Sequence, residues 1–261
     1  MQFETILFQD TSPFASITLN RPAQRNAMSF QMIEELIAAF DALHERPDIR
    51  AIVISGAGEH FCVGGDINDL KATRGMAAEA QDEAVSGIDR LLRHIIEAPQ
   101  VVVAKVHGSA LGGGFGLVCA CDIAISAVDA TFGLPEARLG IAPALIAPYV
   151  VRRVGLSRAG MIMLTGARFD GVSAHEYGVL HEICPKEILD ECTDAILNEI
   201  RQCSPAALRA CKQLLQSSIS ESLEESLPFR ARALNTLRAS EDGQEGMLAF
   251  IQKRPPKWAL E

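Results

Sequence analysis

Phe3, Thr5 and Leu7 alternate with their neighbours, as do Phe14, Ser16 and Thr18, and the turn residues Asp10-Thr11-Ser12-Pro13 separate the two runs. That pattern predicts two strands paired as a hairpin. Between residues 29 and 45 the period changes: Met32, Ile33, Leu36, Ile37, Phe40 and Leu43 form a helical stripe, with Ser29 placed to cap its start. Arg50 to Ser55 reads as a buried strand. Residues 78–98 read as a helix facing inward through Val85, Ile88, Leu91, Leu92 and Ile95, and Pro99 stops it ahead of a strand at Val101 to Val106. A helix whose first turn is glycine follows over Gly112 to Ala120, then a strand over Asp122 to Ser126. Strands alternating with helices imply βαβ units and a mainly parallel sheet, an α/β fold.

From Pro185 onward the apolar spacing is helical only, through Ile188, Ile196, Leu197, Ile200, Ala207, Leu208, Leu214, Leu215, Leu223, Leu227 and Leu234. We place a boundary near Ser204, giving a core domain over 1–203 and a helical region over 204–261. Several of these helices carry apolar residues on more than one face, which suits packing on the core and on another subunit.

The chain has 261 residues, 48% of them hydrophobic, enough to bury one large core. Its net charge of -9 argues against nucleic acid as the main partner, because that binding relies on a basic surface. Residues 1–10 alternate and include Glu4 and Asp10, unlike an export leader, and no apolar run approaches the ~20 residues that cross a bilayer. A soluble, cytoplasmic protein without a membrane partner is expected. Seven scattered cysteines, an odd number, do not make a disulfide framework, and Cys119-x-Cys121 is too tight for zinc, so no metal is expected. The histidines, His60 and His107 among them, lie in no elbow motif with a serine or cysteine.

Candidate chemistry lies in two glycine-rich segments, Phe61-Cys62-Val63-Gly64-Gly65-Asp66 and Leu111-Gly112-Gly113-Gly114, followed by Pro135-Glu136. Backbone amides at such turns are rigid donors for a developing oxyanion, and a nearby carboxylate can move a proton. Taken alone, the glycines also suit tight turns, Asp66 a helix N-cap, and Pro135-Glu136 an ordinary helix start.

These segments, together with Asn20-Arg21-Pro22-Ala23-Gln24-Arg25-Asn26-Ala27-Met28, His107-Gly108-Ser109-Ala110, Cys121-Asp122-Ile123-Ala124 and Phe132-Gly133-Leu134-Pro135-Glu136, resemble the crotonase (enoyl-CoA hydratase/isomerase) superfamily in order and spacing. The resemblance runs over nearly the whole chain. It implies a spiral of ββα units with a helical C-terminal trimerisation region, a homotrimer or homohexamer, and an acyl-CoA substrate with no further cofactor. It further implies that the amides of Val63 or a near neighbour and of Gly113 hold the thioester oxygen, and that Glu136 moves the proton. Arg25, Ala27 and the backbone of Gly64, Gly65, Asp66 and Ile67 would meet the coenzyme A moiety. Phe250 and Lys253 resemble a segment lent to a neighbouring subunit's pocket.

Gly116 departs from the pattern of the two-glutamate hydratases, which place a second carboxylate there. Glu136 alone would serve either to hydrate a 2-enoyl-CoA or to shift a double bond between the γ and α carbons. Residues 138–151 resemble bacterial 3-methylglutaconyl- and isohexenylglutaconyl-CoA hydratases, with Gly116 expected to leave room for a β-branch. Such a substrate carries a distal carboxylate, for which Arg138, Arg152, Arg153 and Arg168 are near in sequence.

Overall fold

The computed structural model describes residues 2–73 and 75–260. Strands β1 (Ile6–Gln9) and β2 (Phe14–Leu19) form the antiparallel hairpin expected from their alternation, with Ile6 opposite Leu19 and Gln9 opposite Ser16. Helix α1 (Phe30–His44) then crosses to β3 (Ala51–Gly56), which lies parallel to β2. The Ser29 side chain caps α1 by accepting from the Met32 amide at 3.1 Å.

After β3 come a short helix α2 (Ile67–Ala72), the long helix α3 (Ala78–Glu97) and strand β4 (Val101–Val106), parallel to β3. Ala98 is extended, as a residue before proline must be, and α3 ends there. A three-residue strand β5 (Ser109–Leu111) leads into α4 (Gly113–Ala120), and β6 (Ile123–Ala127) returns beside β4. Strand β7 (Thr131–Gly133) pairs with β5. Then follow α5 (Ala147–Thr165), broken at Gly155, β8 (Arg168–Asp170), α6 (Gly171–Glu176) and β9 (Glu182–Cys184). Four helices close the chain: α7 (Leu189–Arg201), α8 (Pro205–Ser220), α9 (Leu223–Ala239) and α10 (Glu241–Gln252).

The larger sheet has the order β1-β2-β3-β4-β6-β9, and a smaller sheet has the order β5-β7-β8. The nearly continuous apolar character of β3 and β4 reflects burial on both faces. Ile52, Ile54, Val102, Ala104 and Val106 enter the main core with residues of α1, α3 and α4, whereas Ala51, Val53, Val103 and Ile125 pack against Leu189, Leu197 and Ile200 of α7. The small sheet escapes the sequence pattern because strands of three residues are shorter than one readable alternation.

Helix α8 begins at the Ser204 cap, and apolar side chains of the following helices, among them Leu223, Leu227, Leu234, Phe250 and Ile251, are exposed. No helix of the described residues is long and apolar enough to cross a membrane.

Candidate active site

The smaller sheet builds the site. Its parallel pair sets Leu111 opposite Gly133, and the Gly112 amide donates to the Gly133 carbonyl at 3.0 Å, so the glycine turn and the Leu134-Pro135-Glu136 segment leave the sheet side by side. Gly112 takes φ +53°, and a Cβ there would lie 3.0 Å from Glu136 Oε1. A side chain at 112 would therefore face the carboxylate as well as strain the backbone.

The other glycine loop runs alongside. Cys62 donates its amide to Ser109 O and Leu111 donates to Cys62 O, each at 2.9 Å. Gly64, with φ +103°, comes so close that a Cβ would sit 3.1 Å from Leu111 O and 3.5 Å from the Gly113 nitrogen. A Cβ on Gly114 would overlap the Cys62 carbonyl. The two loops touch because both are glycine at the point of contact.

Their amides differ in availability. Val63, the donor expected from the family resemblance, gives its amide to Arg25 O at 3.3 Å. The Gly64 amide points at the Cys62 sulfur, whereas among the described residues no protein acceptor meets the amides of Gly65 or Gly113. The Gly65 nitrogen lies 3.9 Å from where a Cβ on Gly113 would be, Gly65 is exposed, and Gly113 opens α4, whose dipole adds to the donor strength of its first turn.

Glu136 stands on a 3-10 helix, Pro135–Leu139, and is half-buried. Its Oε2 is buried and has no hydrogen-bond partner. Burial pushes its pKa above the ordinary carboxylate value. An unpartnered carboxylate oxygen beside unpaired amides is costly for folding alone and is what proton transfer to a bound molecule requires.

Asp66 behaves as the N-cap expected of it: its side chain accepts from the Asn68 amide and from Arg21 Nη1, both at 2.9 Å. Burial acts to raise its pKa, but these hydrogen bonds outweigh burial and hold the carboxyl below the usual range. Asn26 is a residue the sequence reading passed over. In the left-handed region at φ +54° and fully buried, it donates to Ala57 O at 2.9 Å and His60 O at 2.7 Å while accepting from the Arg21 amide at 2.9 Å, fixing the Arg25–Ala27 turn under the first glycine loop. Asparagine tolerates that conformation, and this was the available signal. Arg25 and Ile67 are exposed and Ala27 is half-buried around this loop.

The room expected at Gly116 is absent: a Cβ there would lie 2.7 Å from Ile146 Cγ2, so an isoleucine from outside the motif occupies the space. Among the arginines, Arg152 donates to Gln216 Oε1 at 2.7 Å, Arg153 to the carbonyls of Val118 and Cys121, and Arg138 to Thr165 O at 3.0 Å, while Arg168 is exposed on β8. Phe250, 85% exposed, and Lys253 lie at the end of α10. Burial pushes the thiols of Cys62, Cys119 and Cys121 up to about 12, so none is a thiolate near neutral pH. Among the described residues no cluster of three His, Cys, Asp or Glu side chains is placed to hold a metal.

Residues 10–260 match the family model described as enoyl-CoA hydratase/isomerase. The chain belongs to the enoyl-CoA hydratase/isomerase family. Its structure superposes on Pseudomonas aeruginosa AtuE with a TM-score of 0.96 at 46% identity, covering 98% of this chain and 100% of that one. It is 32% identical to the 2,3-dehydroadipyl-CoA hydratase of Escherichia coli, over 92% of each chain. It is likewise 32% identical to the peroxisomal Delta(3,5)-Delta(2,4)-dienoyl-CoA isomerase of Arabidopsis thaliana, over 96% of this chain and 94% of that one. The fold is the crotonase type, with mixed sheets and a helical C-terminal region.

Proposed function

We propose that the protein hydrates a 2-enoyl-CoA thioester, with Glu136 as its single acid/base. Glu136 takes a proton from water as the water oxygen adds to the β carbon, and the electron pair moves onto the thioester oxygen as an enolate. Glu136 then returns the proton to the α carbon, so that one water is added and the carboxylate is restored. Gly113 and, in place of the engaged Val63, Gly65 supply the amides that hold the enolate oxygen, a pair in which each donor contributes ~3 kcal/mol to lowering the barrier.

The observation that carries this reading is the buried, unpartnered Oε2 of Glu136 beside two glycine loops with unpaired amides. The likeness to a 2,3-dehydroadipyl-CoA hydratase supports an acyl group with a distal carboxylate, and residues 138–151 support a branched, glutaconyl-type chain. On this reading the coenzyme A arm lies along Arg25, Ala27 and the Gly64–Ile67 backbone. The exposed apolar faces of α9 and α10 meet other subunits in a trimer or hexamer, bringing Phe250 and Lys253 to a neighbour's substrate.

A lone carboxylate also fits migration of a double bond between the γ and α carbons, the second reading. Turnover of 2-enoyl- and 3-enoyl-CoA esters in heavy-oxygen water separates them. Label at the β carbon of the product establishes hydration; a shifted double bond without label establishes isomerisation and removes the first reading.

A further inference from the structure

Gly116 lies one turn past Gly113 on α4 and donates its amide to Gly112 O at 3.0 Å, and by helix spacing a side chain at 116 would share a face with Gly113, whose own Cβ would stand 3.9 Å from the Gly65 nitrogen. That direction is closed by hydrocarbon. Ile146 Cγ2 and Cβ stand 2.7 and 3.1 Å from the position of a Cβ on Gly116, and Leu92 Cδ1 stands 3.7 Å away.

Ile146 has little freedom to withdraw. It is 5% exposed, its amide donates to Pro143 O at 3.2 Å, and its carbonyl accepts from the amides of Tyr149 and Val150, each at 3.2 Å, at the start of α5. Its branch at Cβ leaves few rotamers, and it is the γ2 branch that faces the glycine.

We propose that Ile146 is the specificity-determining residue of this site: it occupies the volume of a side chain at 116, keeps the site to one carboxylate, and forms the apolar wall against which the acyl chain's β-substituent packs. Positions 116 and 146 then exclude each other, so that a side chain enters at 116 only when the γ2 branch at 146 is removed. The specificity role rests on the reading of Glu136 as acid/base; the steric exclusion does not.

The test combines Gly116→Ala and Gly116→Glu with Ile146→Ala and Ile146→Val. In the wild-type background Gly116→Ala overpacks the core and lowers the melting temperature by roughly 2–10 °C. With Ile146→Ala the same change is neutral or stabilising, whereas with Ile146→Val, which keeps the γ2 branch, the loss persists. For activity, Gly116→Glu with Ile146→Ala gains at least about tenfold in kcat/KM on an unbranched 2-enoyl-CoA over Ile146→Ala alone. Its acid limb moves to higher pH because two carboxylates repel each other's charge. Gly116→Glu alone gains nothing.

Equal effects of Gly116→Ala in all three backgrounds overturn the exclusion. Steric coupling without the gain and the shifted limb overturns the specificity role, as does a full gain from Gly116→Glu alone. A failure of Glu136 as acid/base registers separately, as activity retained by Glu136→Gln while the melting temperatures still couple.

Discussion

Glu136 Oε1 lies 3.0 Å from the point where Gly112 would carry a Cβ, so the catalytic candidate and the turn that begins α4 are in direct contact. Gly112→Ala would push the carboxylate aside and place a methyl at φ +53°, a cost of about 1–3 kcal/mol. We expect a folded protein with kcat/KM reduced by about 10²-fold, since small displacements of a proton-transfer group are expensive. Circular dichroism and steady-state kinetics on one preparation check this, and near-normal turnover by the variant would show that the contact is irrelevant to chemistry.

Burial holds the Glu136 pKa above the ordinary carboxylate value of about 4.3. Because the folded value is the higher one, its contribution to stability is present below that ordinary value and is lost as pH rises through the folded value. Glu136→Gln is therefore expected to raise the melting temperature relative to wild type at pH 8, with the difference shrinking toward pH 4. Turnover should fall by about 10²–10⁴-fold, and the wild-type acid limb of kcat/KM should sit above the ordinary carboxylate range. A variant less stable than wild type at pH 8 would contradict the burial argument.

The βα alternation, the α1 cap at Ser29 and the Asp66 cap were legible in the sequence because each is a local pattern with a local cause. The placement of Glu136 against the glycine turn that opens α4 was legible through the family resemblance. Two features were not. The choice between Val63 and Gly65 as candidate donor depends on where the Arg25 carbonyl points, and the filling of Gly116 depends on Ile146, thirty positions away and outside the glycine motif. Both are tertiary contacts that neither periodicity nor propensity encodes.

Lys212 on α8 is buried beneath the core and joins three segments: it pairs with Asp122 at 2.7 Å and donates to Ile95 O at 3.0 Å and Gln100 O at 2.9 Å. Burial lowers its pKa, and the Asp122 carboxylate opposes that shift. Removing one partner leaves the other with an uncompensated charge, so Lys212→Met should cost about 3–5 kcal/mol. Asp122→Asn in the same chain should recover part of that, since the asparagine oxygen can still accept from the Val102 amide that Asp122 holds at 2.8 Å. Urea unfolding of the four proteins reads the coupling, and strict additivity would exclude a working ion pair.

The C-terminal segment is held by a carboxylate whose charge can be followed through the chain's one tryptophan. Glu245 on α10 accepts from Arg254 Nη1 and Nη2 at 2.6 and 2.9 Å and from the Lys257 amide at 3.0 Å, and the Arg254 hydrogen bonds bring its pKa down to about 2. Next to it, Trp258 donates its indole N–H to Gln202 O at 3.0 Å and its carbonyl accepts from Arg50 Nη2 at 2.6 Å. With the folded pKa depressed, the stabilisation by Glu245 is present above the ordinary carboxylate value and is lost as pH falls toward about 2. Glu245→Gln removes it at every pH. We expect the variant at pH 7 to show Trp258 emission shifted to longer wavelength, with far-ultraviolet circular dichroism unchanged because only the last residues loosen. Wild-type emission in that variant at neutral pH would mean that the hydrogen bonds from Arg50 and to Gln202 suffice to hold the segment without Glu245.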